Sequence, residues 1–395
     1  TPCGTLFPYT TLFRSLNQLV ASAAVKNQNL RIMDLGCGSG DGYELLMGIR
    51  DRDADLNHFE VNLLKGKIES YMGTDLSLDL LNQAQEVHGH DPVVNFRQGD
   101  FSNGLPLKDE EEPYDLYFAS YGTWSHHNDD ETAIELLADI ARHTRESSLV
   151  LCDWLGRYSY EWREHWTKDH ESFRNMDYVV SYIYDEQERE EKRDELEHLT
   201  LRVMSREEAQ RIVEAAAQRA GCEIEVVETF DRSCAIGRHM DTQEYNQYAP
   251  SLRNAVNSLH EPNVRTDLNQ LRFRYVPKDG FDAVNEFYGD LADCWNTLVE
   301  YTKRLLTHYN DELQAVTVDP EGGRDGVARD FPNHLRYLLK RMHRVVDSVG
   351  WIDIGLPREN LIEPQLGYTL RNLVVAMQQG IGCGHGLCAI LRVQK

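Results

Sequence analysis

The sequence predicts an α/β fold: a doubly wound, mostly parallel sheet followed by a mostly α C-terminal region. Residues 30–46 show a strand, a glycine-rich turn and a helix in direct succession. Further short apolar runs that end in acidic residues then alternate with helical patterns up to about residue 240. Residues 241–395 show mainly helical spacing of apolar positions. At 395 residues, the chain is long enough to form both parts.

The net charge and the apolar runs of the chain indicate which kinds of partner it does not bind. The chain carries 41 basic and 65 acidic residues, which gives a formal net charge of −24. Proteins that bind nucleic acid normally present a basic surface instead. No apolar run approaches the ~20 residues that a membrane-spanning helix needs. The sequence therefore predicts a protein whose partner is neither nucleic acid nor a membrane.

The first strand, residues 30–35, leads into glycines at alternate positions. These are Gly36, Gly38, Gly40 and Gly42. Glycine permits the positive φ of a sharp turn and lets a ligand approach the backbone, and the amides of the following helix face such a ligand. A dinucleotide-binding Gly-x-Gly-x-x-Gly motif would need its third glycine at Asp41 or Tyr43, and no Gly-Lys-Ser/Thr of a P-loop follows. Both of these motifs are therefore excluded.

The string Asp34-Leu-Gly36-Cys37-Gly38-Ser-Gly40 resembles the first motif of class I S-adenosylmethionine-dependent methyltransferases. In that family an acidic-x-Gly-x-Gly-x-Gly loop wraps the methionine and ribose part of the cofactor. The resemblance covers about residues 16–240 and implies a Rossmann-like, seven-stranded sheet with S-adenosyl-L-methionine as cofactor. It implies cofactor contacts from Asp34, Gly36, Cys37, Gly38 and Gly40.

The next two strands each end in a candidate cofactor ligand. Asp75 follows the second strand, with Leu76 beside it, and a carboxylate there can accept hydrogen bonds from both ribose hydroxyls. The alternative role of Asp75 is a helix cap, which Ser77 can supply instead. After the third strand, Gly-Asp100-Phe101 resembles the family motif whose acidic residue receives the adenine amino group while the next residue packs on the ring. The alternative is a turn aspartate beside a core phenylalanine.

The fourth strand ends at Ser120 and alternates little, which predicts burial on both faces. In the family, the end of this strand lies beside the sulfonium and the incoming substrate. This implies a cofactor contact from Ser120 and substrate contacts from Tyr121 and Trp124. His126 and His127 follow, and either is a candidate general base for an O–H or N–H acceptor. The alternative is that one histidine only caps or packs against the next helix.

The fifth strand, residues 147–154, opens an aromatic and charged insertion over residues 154–204. In small-molecule methyltransferases this position commonly forms a substrate lid, which implies substrate contacts from Trp154 and Tyr158. An aromatic lid suits an apolar or planar substrate and excludes water from the sulfonium. The alternative is the ordinary core of a helical subdomain.

The chain beyond the insertion carries clear helix signals. Ser205 and Glu208 form a capping box for a helix that ends at Gly221. Strands over 222–230 and 233–239 are predicted to finish the sheet as an antiparallel hairpin, as in many members of the family.

The last region, residues 241–395, is expected to be mostly helical. Helices are predicted over 252–259, 281–308 and 331–349, and the final run, 387–393, is strand-like and suited to a sheet edge. This region is a candidate surface for homo-oligomer formation.

The eight cysteines are scattered, and those in apolar runs suit free thiols in a reducing cytosol, so a cytoplasmic location is expected. Cys383-Gly-His385-Gly-Leu-Cys388 has the residue types of a metal site but lacks a second ligand pair, so a terminal loop and strand is preferred and no metal is expected. Thr1–Ser15 looks like translated sequencing-adapter DNA and is interpreted as a non-native leader.

The order of these motifs predicts an S-adenosylmethionine-dependent methyltransferase that acts on an O, N, S or C nucleophile of a small-molecule acceptor. Alignment of reacting groups alone can contribute ~7–11 kcal/mol, so one obligatory catalytic residue is not required. Two alternatives stay open. One is a catalytically silent cofactor-binding scaffold that acts through residues 241–395, and the other is a methyltransferase that acts on a basic region of a protein.

Overall fold

The computed structural model describes residues 29–48, 66–180, 191–240, 245–248, 252–311 and 332–395. Their contacts form two compact units. The first contains the described residues up to Arg157 together with Asp169–Arg232 and Gln379–Lys395, and the second contains Tyr158–Lys168 and Ser233–Gln378. The predicted leader, Thr1–Ser15, lies outside the described residues.

The first unit is built on one sheet. Its strands are β1 (Leu30–Leu35), β2 (Ile68–Asp75), β3 (Val94–Gln98), β4 (Leu116–Phe118), β5 (Ser147–Gly156), β6 (Asn175–Val179), β7 (His198–Met204), β8 (Glu223–Arg232) and β9 (Gly386–Gln394). Strands β3, β2, β1, β4 and β5 lie side by side in that order and are parallel. Beyond them, β9 is antiparallel to both β5 and β8, while β7 pairs with the end of β5 and with β6.

Helices pack on both faces of this sheet. They are α1 (Asp41–Met47), α2 (Leu78–His88), α3 (Asp130–His143) and α4 (Arg206–Ala220). Because side chains alternate along a strand, Met33 and Leu35 of β1 join a core with α3 and α4, whereas Ile32 joins a core with α1 on the other face. Strand β4 is buried at every position, as its sequence predicted. The predicted doubly wound, mostly parallel sheet is therefore confirmed. The expected number of seven strands was too low, because the sheet has nine strands and includes β6 and β7 of the region after β5.

Strand order reverses across β1, which pairs with β2 on one side and with β4 on the other. The carboxyl ends of strands at such a reversal flank a crevice, and open α/β sheets bind ligands there. The glycine-rich turn after β1 lies at this point.

The capping box predicted for α4 is confirmed. Ser205 Oγ accepts from the backbone N–H of Glu208, and Glu208 Oε2 accepts from the backbone N–H of Ser205 at 2.9 Å. Gly221 ends the helix with a φ of 67°, which glycine adopts without the steric cost of a Cβ.

Of the two strands predicted to form a hairpin at the end of the sheet, the first, 222–230, is present and the second, 233–239, is not. Residues 233–239 form turns, because Ser233 and Ala235 have φ values of 60° and 63°, which are incompatible with a strand. The antiparallel partner of β8 is instead β9, whose first eight residues are mostly buried. Its predicted place at a sheet edge was also wrong, because β9 lies between β5 and β8.

The second unit is mostly helical. Its longer helices are α5 (Leu252–Ser258), α6 (Asp282–Asp311), α7 (Asn333–Ser348) and α8 (Glu363–Met377). The three predicted helices are confirmed, and α8 was not predicted. The predicted insertion 154–204 is not one element, because Tyr158–Lys168 belongs to this unit while β6 and β7 belong to the first. The oligomerisation role of this region stays a prediction.

Within the described ranges, no helix combines the length and the apolar character needed to cross a bilayer.

Candidate functional site

Three loops meet at the carboxyl edge of the sheet. A Cβ placed on Gly36, after β1, would lie 2.7 Å from Thr123 Cγ2, after β4, and 3.5 Å from Phe101 Cε1, after β3. Gly36 therefore has the close packing that only a residue without a side chain permits. The structure thus brings together the glycine-rich turn and two of the other stretches that the sequence singled out.

The turn over residues 36–40, here called the glycine loop, is held by backbone hydrogen bonds. Its glycines Gly36, Gly38 and Gly40 have φ values of 69°, 54° and 93°. The N–H groups of Gly36 and Cys37 both donate to the carbonyl oxygen of Thr74, at 2.8 and 2.9 Å. Positive φ at alternate positions is what alternate glycines predicted, and these two bonds fix the loop to the end of β2.

Asp75 connects the ends of three strands. Its Oδ2 accepts from Gly38 N at 2.9 Å, its Oδ1 accepts from Ser77 N at 2.9 Å, and its carbonyl oxygen accepts from Gly99 N at 3.0 Å. The cap of α2 is Ser77, whose Oγ accepts from Leu80 N, so the alternative role of Asp75 as a cap is wrong. A carboxylate offers about four acceptor positions, so this half-buried group retains capacity for a ligand.

Asp34 lies beneath the glycine loop and not on its open side. Its side chain is 1% exposed, and its Oδ2 accepts from the hydroxyl of Tyr71 at 2.5 Å. Burial raises the pKa of Asp34 to about 7, although the Tyr71 hydrogen bond opposes this shift. A Cβ on Gly42 would meet Asp34 Oδ2 at 2.0 Å, so the glycine after the loop makes room for this carboxylate. The Asp34 side chain is thus directed to Tyr71 of β2, and its expected cofactor contact stays a prediction.

Cys37 and Ser120 are likewise buried, at 5% exposure each. The Cys37 Sγ packs against Gly73 of β2, where a Cβ would lie 2.9 Å from it. The carbonyl oxygen of Ser120 accepts from the N–H and the hydroxyl of Thr123, the latter at 2.6 Å. The Cys37 side chain and the Ser120 carbonyl group thus help to hold their loops in place.

The loop after β3 presents one acidic and one aromatic side chain. Asp100 is exposed and caps a short helical turn by accepting from Ser102 and Asn103, and the Ser102 hydrogen bonds lower its pKa. Phe101 is half-buried, and its ring lies 5.3 Å from the His127 ring in an edge-on arrangement. Leu76, after β2, is 65% exposed. Leu76 and Phe101 thus present apolar surface next to Asp75 and Asp100 in the sequence.

The loop after β4 is anchored by Ser125, which the sequence analysis did not single out. Ser125 Oγ donates to the carbonyl oxygen of Arg202 at 2.6 Å and accepts from Leu155 N at 2.7 Å. These bonds tie the loop to β7 and β5. Tyr121, in the same loop, has a left-handed φ of 62° and is 38% exposed. No local signal in the sequence distinguishes Ser125 from other loop serines, because both of its partners are distant along the chain.

The two histidines differ in environment. His127 is 2% exposed, and burial lowers its pKa to about 4, with smaller opposing effects from Asp129 and Asp100. His126 is exposed at the surface of the loop. Its pKa is lowered by partial desolvation of the ring, and the Asp75 carboxylate opposes that shift. Burial therefore keeps the His127 imidazole neutral near pH 7 and makes it a weak base, and its role as a general base stays a prediction.

Apart from Tyr121, the predicted substrate residues lie in two environments. Trp124 and Trp154 are each 1% exposed and belong to the hydrophobic core of the first unit, not to an open surface. Tyr158 belongs to the second unit, where its ring contacts Trp166 and Phe281. Aromatic density in the sequence thus did not distinguish core residues from residues that line a site.

The described residues contain no group of three or more His, Cys, Asp or Glu side chains that is arranged to hold a metal ion. The Cys383–Cys388 stretch forms a buried loop and the start of β9, which is the arrangement preferred from the sequence.

Comparison with known proteins gives structural neighbours only. No protein-family model matches the chain, and no curated protein sequence matches it. An S-adenosylmethionine-dependent methyltransferase from Clostridium acetobutylicum is 16% identical, with a TM-score of 0.35 over 55% of this chain and 83% of that chain. One from Methanosarcina mazei is 14% identical, with a TM-score of 0.37 over 52% and 84% of the two chains.

A third similar structure is an amino pentose methyltransferase from Micromonospora echinaspora, with S-adenosylmethionine bound. It is 13% identical, with a TM-score of 0.33 over 56% of this chain and 86% of that chain. These scores are low, and the fold assignment rests on the strand order and pairing.

Proposed function

We propose that this chain is an S-adenosylmethionine-dependent methyltransferase that acts on a small-molecule acceptor. The observation that carries the proposal is the attachment of the glycine loop to Asp75, through Gly38 N and Asp75 Oδ2 at 2.9 Å. This attachment lies where strand order reverses, which is the ligand-binding position of open α/β sheets. The loop lacks the glycine spacing of a dinucleotide site and the lysine of a P-loop.

The residues around the loop fit the parts of S-adenosylmethionine. Asp75 retains acceptor capacity for ribose hydroxyls. Leu76 and Phe101 offer apolar surface on which a purine ring can pack, and Asp100 offers an exposed acceptor for an amino group. These features support an adenosine-containing ligand.

The sheet adds independent support. The antiparallel pairing of β8 and β9 beyond β5 corresponds to the antiparallel finish that the resemblance to class I methyltransferases implies. The partners come from distant parts of the chain, since β8 ends at Arg232 and β9 begins at Gly386. The second unit's residues 233–378 are therefore inserted between the last two strands of the sheet.

The chemistry of this chain's own residues is positioning and proton acceptance. Bound S-adenosylmethionine would supply an electrophilic methyl group on its sulfonium, which would pass in line to the acceptor nucleophile as the carbon–sulfur bond breaks and S-adenosylhomocysteine leaves. His127, neutral and next to Phe101, is the candidate that takes the proton of an O–H or N–H acceptor. The surrounding loops hold the reacting groups in line, and Ser125 fixes the loop that carries the imidazole.

A transfer assay tests the proposal. The full chain is incubated with S-adenosylmethionine labelled in its methyl group and with a panel of small phenols, amines, thiols and carboxylic acids. We expect labelled product together with S-adenosylhomocysteine, and neither from the Asp75→Ala variant. Tight cofactor binding without transfer to any small acceptor would contradict the proposal and favour the silent scaffold. Transfer only to basic proteins would favour the protein-directed alternative.

A further inference from the structure

Helix α7 presents positive charge in an acidic protein. Over Asn333–Ser348 the helix carries four basic residues and one acidic residue, whereas the whole chain has a formal net charge of −24. Its buried side chains recur at helical spacing on the side that packs against α6 and α8 of the second unit. The residues on the opposite side are Tyr337, Lys340, Arg341 and Arg344. This side of the helix is here called the basic face.

Large apolar side chains lie at both ends of the basic face. Tyr337, near the start of α7, is 66% exposed. Trp351, three residues after the helix ends, is 91% exposed, more than any other large apolar side chain of the described residues. Ile352 and Leu356 follow at 45% and 51%, and Leu356 has a left-handed φ of 50°, which is costly for leucine. Exposed apolar side chains that are close in the chain and flanked by polar residues are typical of binding surfaces.

Helix α6 of the same unit presents the opposite charge. From Asp282 to Glu300 it contains no basic residue, and its exposed acidic residues recur at helical spacing along one side: Asp282, Glu286, Asp290, Asp293 and Glu300. Among the described residues, only Glu300 of these five has an ion-pair partner, Lys303 at 2.9 Å. This acidic stripe is about 27 Å long, and the basic face is about 21 Å long from Tyr337 to Trp351. The two surfaces are therefore complementary in charge and similar in length.

The basic face and the acidic stripe together determine which partner fits. Both reach solvent in the single chain, so they do not neutralise each other there. An anionic membrane or a nucleic acid would match the basic face, but the acidic stripe would repel it, because packed helices lie only about 8–10 Å apart. A second copy of this chain offers both charges. In a two-fold dimer, the basic face of each copy meets the acidic stripe of the other.

We propose that this protein forms a two-fold homodimer in which the basic face of α7 and Trp351 dock on the acidic stripe of α6 in the second copy. At a width of about 10 Å, the four helix surfaces would bury about 1,000 Å² in total, which is the lower limit for a specific interface. Trp351 supplies the aromatic anchor that such interfaces usually contain. The inference does not depend on the proposed function, because none of these residues belongs to the candidate site.

Sedimentation velocity and tryptophan quenching of the full chain test the dimer. The other five tryptophans are at most 3% exposed, so acrylamide mainly quenches Trp351. Between about 1 and 100 μM, we expect the sedimentation coefficient to rise to that of a dimer and the quenching to fall. A folded chain that stays monomeric over this range would overturn the inference. Binding of that monomer to vesicles of an anionic phospholipid would assign the basic face to a membrane instead.

Trp351→Ala tests the aromatic anchor. We expect the dissociation constant of the dimer to rise at least about 30-fold, the effect of truncating an interface hot spot. The substitution should leave the thermal unfolding of the monomer unchanged, because the side chain is exposed. Val87→Ala is the matched control, since Val87 is 52% exposed on α2, outside both surfaces. An equal loss of dimer in Val87→Ala, or no loss in Trp351→Ala, would contradict the inference.

Charge reversal identifies the two surfaces that meet. One variant makes the basic face acidic and the other makes the acidic stripe largely basic: Lys340→Glu/Arg341→Glu/Arg344→Glu and Glu286→Lys/Asp290→Lys/Asp293→Lys. Each variant alone should be monomeric, because its two surfaces then carry the same sign and repel those of a second copy. An equimolar mixture should form a heterodimer, because both contacts are complementary again. Dimers of either variant alone, or no dimer in a mixture of the two folded variants, would overturn the inference.

Discussion

The backbone N–H of Gly38 donates to Asp75 Oδ2 at 2.9 Å, although the two residues are 37 positions apart in the sequence. The bond joins the loop after β1 to the end of β2. A loop with three left-handed glycines has few internal constraints, so this bond fixes the shape that a ligand meets. Most of the following predictions concern this bond or the side chains beside it.

Replacement of Asp75 should remove cofactor binding. Asp75→Ala loses the acceptor for Gly38 N and the expected ribose contact, and loss of two such hydrogen bonds weakens binding by about 100-fold or more. Calorimetric titration with S-adenosylmethionine measures this change. Asp79→Ala, in the exposed first turn of α2, is the control and should bind like the wild type. Wild-type affinity in Asp75→Ala would remove Asp75 from the site.

Gly38→Val should also abolish binding, through the backbone. Gly38 has a φ of 54°, which a β-branched residue adopts only at a cost. Gly66→Val is a matched control, because Gly66 has a φ of 74° and, like Gly38, has no atom within 4 Å of an added Cβ. Both variants should lose similar stability in thermal unfolding, and only Gly38→Val should lose the cofactor. Equal loss of binding in both would show that the effect is global.

His127→Ala should spare cofactor binding and slow transfer by about 10²- to 10⁴-fold, the range for loss of a general base. The His127 pKa of about 4 leaves the ring neutral, so its ionisation should not affect the wild-type rate between about pH 6 and 8. His126→Ala is the comparison, with a smaller expected effect on kcat because its ring is exposed. A larger effect in His126→Ala would assign the base to that residue.

The stability of the fold should depend on pH through Asp34. Its folded-state pKa is raised from 3.8 to about 7, so its contribution to stability is complete below pH 3.8 and is lost as pH rises to about 7. Asp34→Asn has no ionisable carboxyl group, so this pH-dependent loss of stability is absent in the variant. The free energy of unfolding of Asp34→Asn minus that of the wild type should therefore be about 2 kcal/mol larger at pH 8 than at about pH 5.5.

Urea denaturation at both pH values measures the Asp34 effect. Tyr71→Phe is a second variant that checks the cause, because it removes the hydrogen bond that favours the ionised carboxylate. It should move the stability loss to higher pH. The same difference between wild type and Asp34→Asn at both pH values would contradict the assignment of a raised pKa to Asp34.

Local signals in the sequence predicted the parts of the fold that depend on local physics. Alternate glycines after an apolar strand predicted left-handed backbone at Gly36, Gly38 and Gly40, and the caps of α4 follow from residues within or next to that helix. The β8–β9 pair was missed because most of the second unit separates the two strands in the sequence. A periodicity pattern carries no information about which distant strand fills a gap in a sheet.

The candidate site could also be predicted only in part, because some of its features depend on residues that are distant in the sequence. Asp75 is identifiable from its place after a strand, and its hydrogen bond to Gly38 N agrees with that place. The inward orientation of Asp34 was not predictable, because it depends on Tyr71 in the neighbouring strand. The burial of Trp124 and Trp154 likewise depends on how β5, β9 and α4 pack around them, and composition does not encode that packing.

Calorimetric titration of the full wild-type chain with S-adenosylmethionine and with S-adenosylhomocysteine tests the central claim most directly. The account predicts saturable binding with a micromolar dissociation constant, which corresponds to about −8 kcal/mol. A cooperative thermal unfolding transition of the same sample shows that the chain is folded. Absence of binding heat from both ligands in that folded sample, at several temperatures, would contradict the account.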